Sequence, residues 1–415
     1  MIEYPEALGR LLAAATPLPA RRLLPGNAGG LTLAAAAASP GAVPPFANAA
    51  LDGYAVQSAD LAAASPGEPV RLRLAGFLPA GQPAPAALAA GEAWEVMTGA
   101  PLPAGADALV AVEKTTRSGA PGAGALVQFT APIAAGANVR RPGEDYAAGD
   151  LVLPAGAPLD AIAAMGLGAT GVSRVSVRGP VRVAILTTGS EVRSPGTVLA
   201  AAEINDANGP YLQAVLASAG ATCVGRAQVA DDLPALQAAI ASWHGRADVI
   251  VTTGGVSAGT RDLVPAAVAA AGAELLFHKV AIRPGKPLLA ARFPAGPWLL
   301  GLPGNPVAVA AGARFFLVPL LRALLGRGPE SWLPARVDAP VRARPGLHFF
   351  GKARARIDSE GTLRVALLPG QESFRVAPLV AANCWLILPA DAPDVAAGDS
   401  VRIVPLAPDA DWLGR

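Results

Sequence analysis

The densest apolar runs of this chain lie beyond residue 180, and each gives way to glycine or proline. Val181–Thr188 (VRVAILTT) and Asp248–Thr252 (DVIVT) are rich in β-branched residues, and Trp298–Leu302 (WLLGL) is an apolar run. Such runs predict strands buried on both faces, as in a parallel sheet. Stretches rich in alanine and leucine alternate with them and read as helices: NGPYLQAVLASAG, LPALQAAIASWH, LVPAAVAAAG and Val307–Leu325. With AELLFHKV and PLLAARF as further strands, the alternation from about Gly179 to Leu325 predicts a three-layer α/β domain with a mainly parallel sheet.

Other regions follow different patterns. Pro5–Ala14 and Leu31–Ala38 carry helical patterning on either side of a Pro- and Arg-rich link, and Leu159–Gly168 reads as a helix that returns to them. Between Val70 and Phe129, short alternating runs are cut by proline and glycine, which predicts a small β domain. Beyond Pro334, the short strands ARVDAPVRA, KARARI, LRVALLP, CWLILP and DSVRIVPL predict a C-terminal β-barrel. The expected architecture is multidomain, α/β plus β. An elongated helical stalk (1–43 and 139–178) carries an inserted β domain (44–138), followed by the α/β domain (179–327) and the barrel (334–408).

A length of 415 residues exceeds what one core accommodates and agrees with this division. Hydrophobic residues make up 52% of the chain, but much of that is alanine. No uninterrupted apolar segment of about 20 residues stands out, so no transmembrane helix is expected. The first ten residues, MIEYPEALGR, lack the basic and apolar regions of a secretory signal, which points to a cytoplasmic protein. Net charge is only +2, no long basic run occurs and aromatic residues are 5% of the total, so a nucleic-acid partner is not expected. Cys223 and Cys384 stand far apart in apolar contexts and read as buried thiols.

Candidate chemistry gathers where the predicted parallel strands end, the edge at which open α/β sheets bind ligands. TTGSE, TTGGVSAGTRD and GLPGNP follow the three apolar runs. Gly254-Gly255 would expose backbone N–H groups to an anion, and the helix after it would add its positive end. An ordinary strand-to-helix turn is the plain alternative. Pro303, Gly304, Asn305 and Pro306 make a rigid turn with one open position and one amide side chain. Asp206 and Asn208 in INDAN, and Asp231-Asp232 in VADDLP, would rim the sheet edge or cap helices. Lys279, Arg283 and Lys286 in HKVAIRPGKP place three cations around a Pro-Gly turn, suited to an oxyanion or, more plainly, to a solvated hairpin. Asp52 in its Asp-Gly turn, the Thr98 loop and the charged loop with Arg140, Arg141, Glu144 and Asp145 have structural roles as their default reading.

Taken together, the motifs resemble one family, the molybdopterin molybdotransferases or molybdenum insertases of MoeA type, related to the E domain of gephyrin. The likeness runs from about Pro5 to Pro405. It includes LDGYA (Leu51–Ala55), MTGAP (Met97–Pro101), RRPGED (Arg140–Asp145), TTGSE (Thr187–Glu191), INDAN, TTGGVSAGTRD, RPGKP and GLPGNP. The resemblance implies the last step of molybdenum cofactor synthesis: the metal of molybdate is inserted into adenylylated molybdopterin and AMP leaves, with help from magnesium. It also implies a homodimer, and the molybdopterin adenylyltransferase as a protein partner.

Carried over position by position, the resemblance implies catalytic roles for Glu191, Asp262, Lys286, Asp52 and Asp145. Glu191 and Asp262, with Asp231, would hold magnesium. Arg283, Lys286, Lys352 and Ser373 would hold molybdate. Substrate contacts are implied for Thr188, Gly189, Gly254, Gly255 and Ser257, for Pro303, Gly304, Asn305 and Pro306, and for Asp206, Asn208, Asp231 and Lys279. Asp52, Asp145 and Thr98 would face the crevice of the partner subunit. Departures at five positions accompany these matches. Ala49 and Leu51 stand where relatives have serine and methionine, Ser190 where many have an acid, Arg283 in place of a common lysine, and Lys352 in place of arginine.

Two other functions compete. A molybdopterin adenylyltransferase would share the α/β unit but stop there, whereas two β domains are predicted here. A noncatalytic molybdopterin-binding scaffold would not need carboxylates and cations at one crevice. A dinucleotide enzyme is disfavoured because neither TTGSE nor TTGGVSAG has the usual glycine spacing.

Overall fold

The computed structural model describes residues 1–119, 125–256, 263–294, 296–408 and 412–413; Ser257 and Asp262 lie outside the described residues. At the centre, Val181–Thr188 pairs in parallel with Ala221–Val229 on one side and Val249–Thr253 on the other. Trp298–Leu302 continues the parallel set, and Leu289–Arg292 and Glu274–His278 complete the six strands in antiparallel fashion. Every residue of Val249–Thr253 and of Trp298–Leu302 is buried, as unbroken apolar runs require. Alternate side chains serve opposite faces: Val183, Ile185 and Val251 join one core, Ala184, Leu186 and Ile250 the other. Leu212 and Leu216 of the Asn208–Ser218 helix cover the first face, Leu236 and Ile240 of the Leu233–Ser242 helix the second, which makes three layers.

The helical segment Pro306–Leu325 is long and apolar enough to cross a membrane, but it is mostly buried within the protein. Its middle, Ala313–Leu317, widens into a π turn. Pro319, just beyond, has no N–H to donate and its ring crowds the carbonyl four residues earlier, which accounts for the local widening. The helix Tyr4–Ala14 packs against this segment: Tyr4 meets Phe316 edge-on at 5.5 Å, and Tyr4, Ala7 and Leu11 belong to the α/β core.

Leu31–Ala38 differs from its helical expectation. It holds two short strands, Thr32–Leu33 and Ala37–Ala38, which pair with Val175–Arg178 and Leu151–Leu153. Alanine favours a helix only weakly, and pairing with distant segments overrides it. The expected helix at 159–168 forms at Ala161–Ala169, capped by Asp160 through Ala163 N–H. A further strand pair, Asn48–Ala49 with Val139–Arg140, closes the neck of the inserted domain. Beyond it lies a six-stranded sheet built from Gly53–Val56 to Leu126–Phe129.

The C-terminal region is a closed five-strand barrel, because His348–Ile357 pairs with both Leu363–Leu367 and Cys384–Leu388 and the remaining strands join those two. One parallel pair, Ile282↔His348 and Arg283↔Phe349, stitches the barrel to the α/β domain. That stitch fixes the backbone that carries Arg283.

Candidate functional site

The three strand-end loops meet in one crevice of about 730 Å3, lined by residues 187–189, 205–208, 253–256 and 303–306, by Glu191 and Asp231, and by Phe374 from the barrel. Each loop is tied to the next. Thr188 Oγ1 donates to the Thr253 carbonyl at 3.1 Å, Gly254 N–H to the Leu302 carbonyl at 2.9 Å, and Asn208 Nδ2 to the Gly304 carbonyl at 2.8 Å. Gly254 has a φ of 88°, and a Cβ there would lie 2.6 Å from Thr188 Oγ1, so only glycine fits the turn.

The acidic residues divide by task. Asp232, not Asp231, caps the Leu233–Ser242 helix by accepting from Ala235 N–H at 2.9 Å. Asp231 is left at the crevice, 3.4 Å from Ser190 N–H, beside the loop that carries Glu191. Asp206 is buried and fully engaged: it accepts from Asn208 N–H at 3.0 Å, Gly209 N–H at 2.9 Å and Arg226 Nη2 at 2.8 Å. Its role at the crevice is to hold the INDAN turn, as a cap would. Thr253 Oγ1 and Asn208 Oδ1 are buried with no partner among the described residues. Orphaned polar atoms of this kind are costly unless something completes them.

A second cavity of about 490 Å3 adjoins the first and shares Pro287, Pro303, Asn305 and Phe374 with it. Arg283, Lys286 and Ser373 line it. Both cations are exposed, and the residues described around them form no ion pair with either. Asn305 Nδ2 donates to Ser373 Oγ at 3.0 Å, which leaves the serine O–H free to donate elsewhere. The pocket therefore presents two exposed positive charges and one hydroxyl free to donate, donors that match a small tetrahedral anion.

Family models match three successive regions of the chain. The model of the MoeA N-terminal region (domain I and II) matches residues 2–171, that described as "Probable molybdopterin binding domain" 184–323, and that of the MoeA C-terminal region (domain IV) 334–406. A molybdopterin molybdenumtransferase of Synechococcus elongatus is 39% identical over 97% of this chain and 99% of its own length. This chain belongs to the MoeA family. Molybdopterin molybdenumtransferase 2 of Mycobacterium tuberculosis is 36% identical, covering 91% of this chain and 93% of its own. A MoeA protein of Pyrococcus horikosii has a similar fold, with a TM-score of 0.82, 28% identity and coverage of 98% of this chain and 99% of that one.

Within this MoeA-family chain, the expected site residues that line a cavity fall into two groups. Thr188, Gly189, Glu191, Asp206, Asn208, Asp231, Gly254, Gly255 and the 303–306 turn line the crevice; Arg283, Lys286 and Ser373 line the adjoining pocket. Asp52, Thr98 and Asp145 are exposed on the stalk and β domain and line neither cavity. Asp52 Oδ1 accepts both the N–H and the hydroxyl of Thr98, each at 2.7 Å, and these bonds lower its pKa below the usual aspartate value. Lys279 also lines neither cavity; its backbone is left-handed, with a φ of 68°. Lys352 is buried beneath the pocket, and its ammonium is bonded to three carbonyls. Burial lowers its pKa below that of ordinary lysine, with Glu372 opposing the shift.

Sequence reasoning missed Thr253 and Phe374. Thr253 ends an apolar run and reads as strand, so only its buried, unpartnered hydroxyl reveals it. Phe374 directly follows Ser373, so an aromatic beside an expected ligand residue is the signal in the sequence, while its 64% exposure emerges from the structure.

Proposed function

We propose that the larger cavity binds adenylylated molybdopterin and the smaller one molybdate, and that the chain inserts the metal and releases AMP. By family membership the chain is a transferase that inserts molybdenum during molybdenum cofactor biosynthesis. The observation that carries the finer reading is the continuity of the two cavities through Pro287, Pro303, Asn305 and Phe374. A pterin held on the glycine loops would have its reacting end beside an anion held by Arg283, Lys286 and Ser373. Proximity of this kind supplies much of the rate of a two-substrate reaction.

Thr253 Oγ1 and Asn208 Oδ1, which have no partner among the described residues, offer the pterin hydrogen bonds. Gly254 and Gly255 let its phosphate approach the backbone. Magnesium fits the residues present: Glu191 and Asp231 rim the same crevice, and this ion takes one or two carboxylates together with substrate phosphates. When bound, it would offset the charge on the departing AMP phosphate.

A homodimer is part of the proposal. Asp52, Thr98 and Asp145 cannot act at a crevice they do not line, and a partner subunit would give them one. Leu151, Ile162 and Met165 are 60%, 73% and 69% exposed on the stalk, an apolar surface that a second copy would cover. The adenylyltransferase that makes the substrate is the proposed donor, and the cytoplasm the proposed location.

The test is AMP release from adenylylated molybdopterin, with and without molybdate and magnesium, in wild type, Glu191→Ala and Lys286→Ala. Release that requires both additions and falls in both variants is the expected result. Tight pterin binding with no AMP release under any condition would point to a carrier instead.

A further inference from the structure

Lys352 stands behind the anion pocket, not in it. The residue is wholly buried, at 0% exposure, on the His348–Ile357 strand of the barrel. Its Nζ donates to the Gly370 carbonyl at 2.7 Å, the Glu372 carbonyl at 3.1 Å and the Arg375 carbonyl at 3.1 Å. An ammonium has three N–H bonds, so no donor remains for an oxyanion. Its main chain grips the same loop: Lys352 N–H donates to Gln371 Oε1 at 2.9 Å, and Gln371 Nε2 returns to the Lys352 carbonyl at 2.9 Å and the Leu368 carbonyl at 2.7 Å.

The loop so held carries Ser373. On its far side, the Ser373 carbonyl accepts from Val307 N–H at 3.1 Å, and Ser373 Oγ accepts from Asn305 Nδ2 at 3.0 Å. One buried charge therefore gathers three carbonyls on the barrel side, while Asn305 and Val307 fix the other side. Hydrogen bonds to a charged group outweigh neutral ones, so the ammonium is the stronger half of this clamp.

We propose that Lys352 is a positioning residue for the oxyanion pocket, acting on the anion solely through the Gly370–Arg375 loop and the placement of Ser373. The proposal rests on the molybdate reading of that pocket. It assigns the barrel a specific part in the chemistry, since the strand bearing Lys352 is the one paired with Arg283. A single barrel strand thus sets two of the pocket's donors, one through a backbone pair and one through a buried ammonium.

A double-mutant cycle tests the assignment, read as equilibrium binding of molybdate to the full-length protein. Variants are Ser373→Ala, Lys352→Met and their combination, with pterin affinity and thermal unfolding measured alongside. Lys352→Met and Ser373→Ala are each expected to weaken molybdate binding by about tenfold, and the double variant to be no weaker than either single one. Lys352→Arg should recover part of the loss because a guanidinium can also donate to those carbonyls. Should Lys352→Met not fold, Gln371→Ala tests the same anchoring of the loop, as both polar atoms of Gln371 are spent on the Lys352 backbone and the Leu368 carbonyl. Multiplying losses, with wild-type binding intact, would mean that Lys352 reaches the anion independently of Ser373 and would overturn the proposal. Wild-type protein that binds no molybdate would overturn the pocket reading and this inference with it.

Discussion

Asn305 Nδ2 donates to Ser373 Oγ at 3.0 Å across the junction of the α/β domain and the barrel. Asn305 precedes the Pro306–Gly312 helix but makes no side-chain cap bond, so its amide serves the junction and not the helix. Replacing it with alanine should leave the helix intact and free the serine hydroxyl to rotate. The expected loss is that of one hydrogen bond, about 1 kcal/mol, or roughly fivefold in molybdate affinity. Titration calorimetry with molybdate would show it, and an unchanged isotherm would remove Asn305 from the site.

The glycine loop separates backbone need from ligand need. At Gly254, an alanine would combine a φ of 88° with a Cβ only 2.6 Å from Thr188 Oγ1. Strain of about 1–3 kcal/mol is expected, visible as a lowered unfolding midpoint together with lost pterin binding. Gly304 is the contrast, since its nearest neighbour to an added Cβ is Gly254 Cα at 3.9 Å. Gly304→Ala should keep the wild-type unfolding midpoint yet weaken pterin binding, because the methyl group occupies only the space left for ligand. A midpoint that falls equally in both variants would contradict this division.

How much of this was legible beforehand depended on the range of the interactions involved. Buried parallel strands announce themselves by unbroken apolar runs, so Val181–Thr188 and Trp298–Leu302 could be placed from the chain alone. Leu31–Ala38 could not, because its pairing with Leu151–Leu153 and Val175–Arg178 is made with residues over 100 positions away. The glycine loops and cations that line the two cavities lie in compact motifs, readable from the chain alone. Lys352 was located but its contacts were not, since nothing in KARARI indicates that its ammonium folds back on residues 370–375. Asp231 and Asp232 show the same limit at the scale of one residue: both suit a cap, and only the helix geometry selects Asp232.

The paired bonds from Thr98 to Asp52 carry a pH signature. They hold the folded-state pKa of Asp52 below its ordinary value of 3.8. A depressed carboxyl adds stability that is present above the unfolded-state value and is lost as pH falls through the folded-state one. Wild type should therefore exceed Asp52→Asn in stability at neutral pH, with the gap narrowing as pH drops below about 4. Denaturant unfolding of both proteins across that range would measure it. A gap that widens in acid would show that the carboxylate is not the favoured form.

Phe374 offers the test most specific to the pterin. Its ring is 64% exposed and lines both cavities, with the Arg375 guanidinium 5.9 Å from its centroid. An aromatic left in water at a binding crevice gains most when a flat ligand covers it, and stacking of a heterocycle on an aromatic side chain is worth about 1–3 kcal/mol. Phe374→Ala should thus weaken pterin binding by about tenfold or more, while Phe374→Trp should retain it. Molybdate affinity, which depends on charge and hydrogen bonds, should change far less. Because the side chain is exposed, neither variant should shift the unfolding midpoint appreciably. Fluorescence titration with molybdopterin decides the matter: if alanine and tryptophan bind as the wild type does, the ring lies outside the pterin's footprint and the pterin must occupy the end of the crevice nearer Asp231.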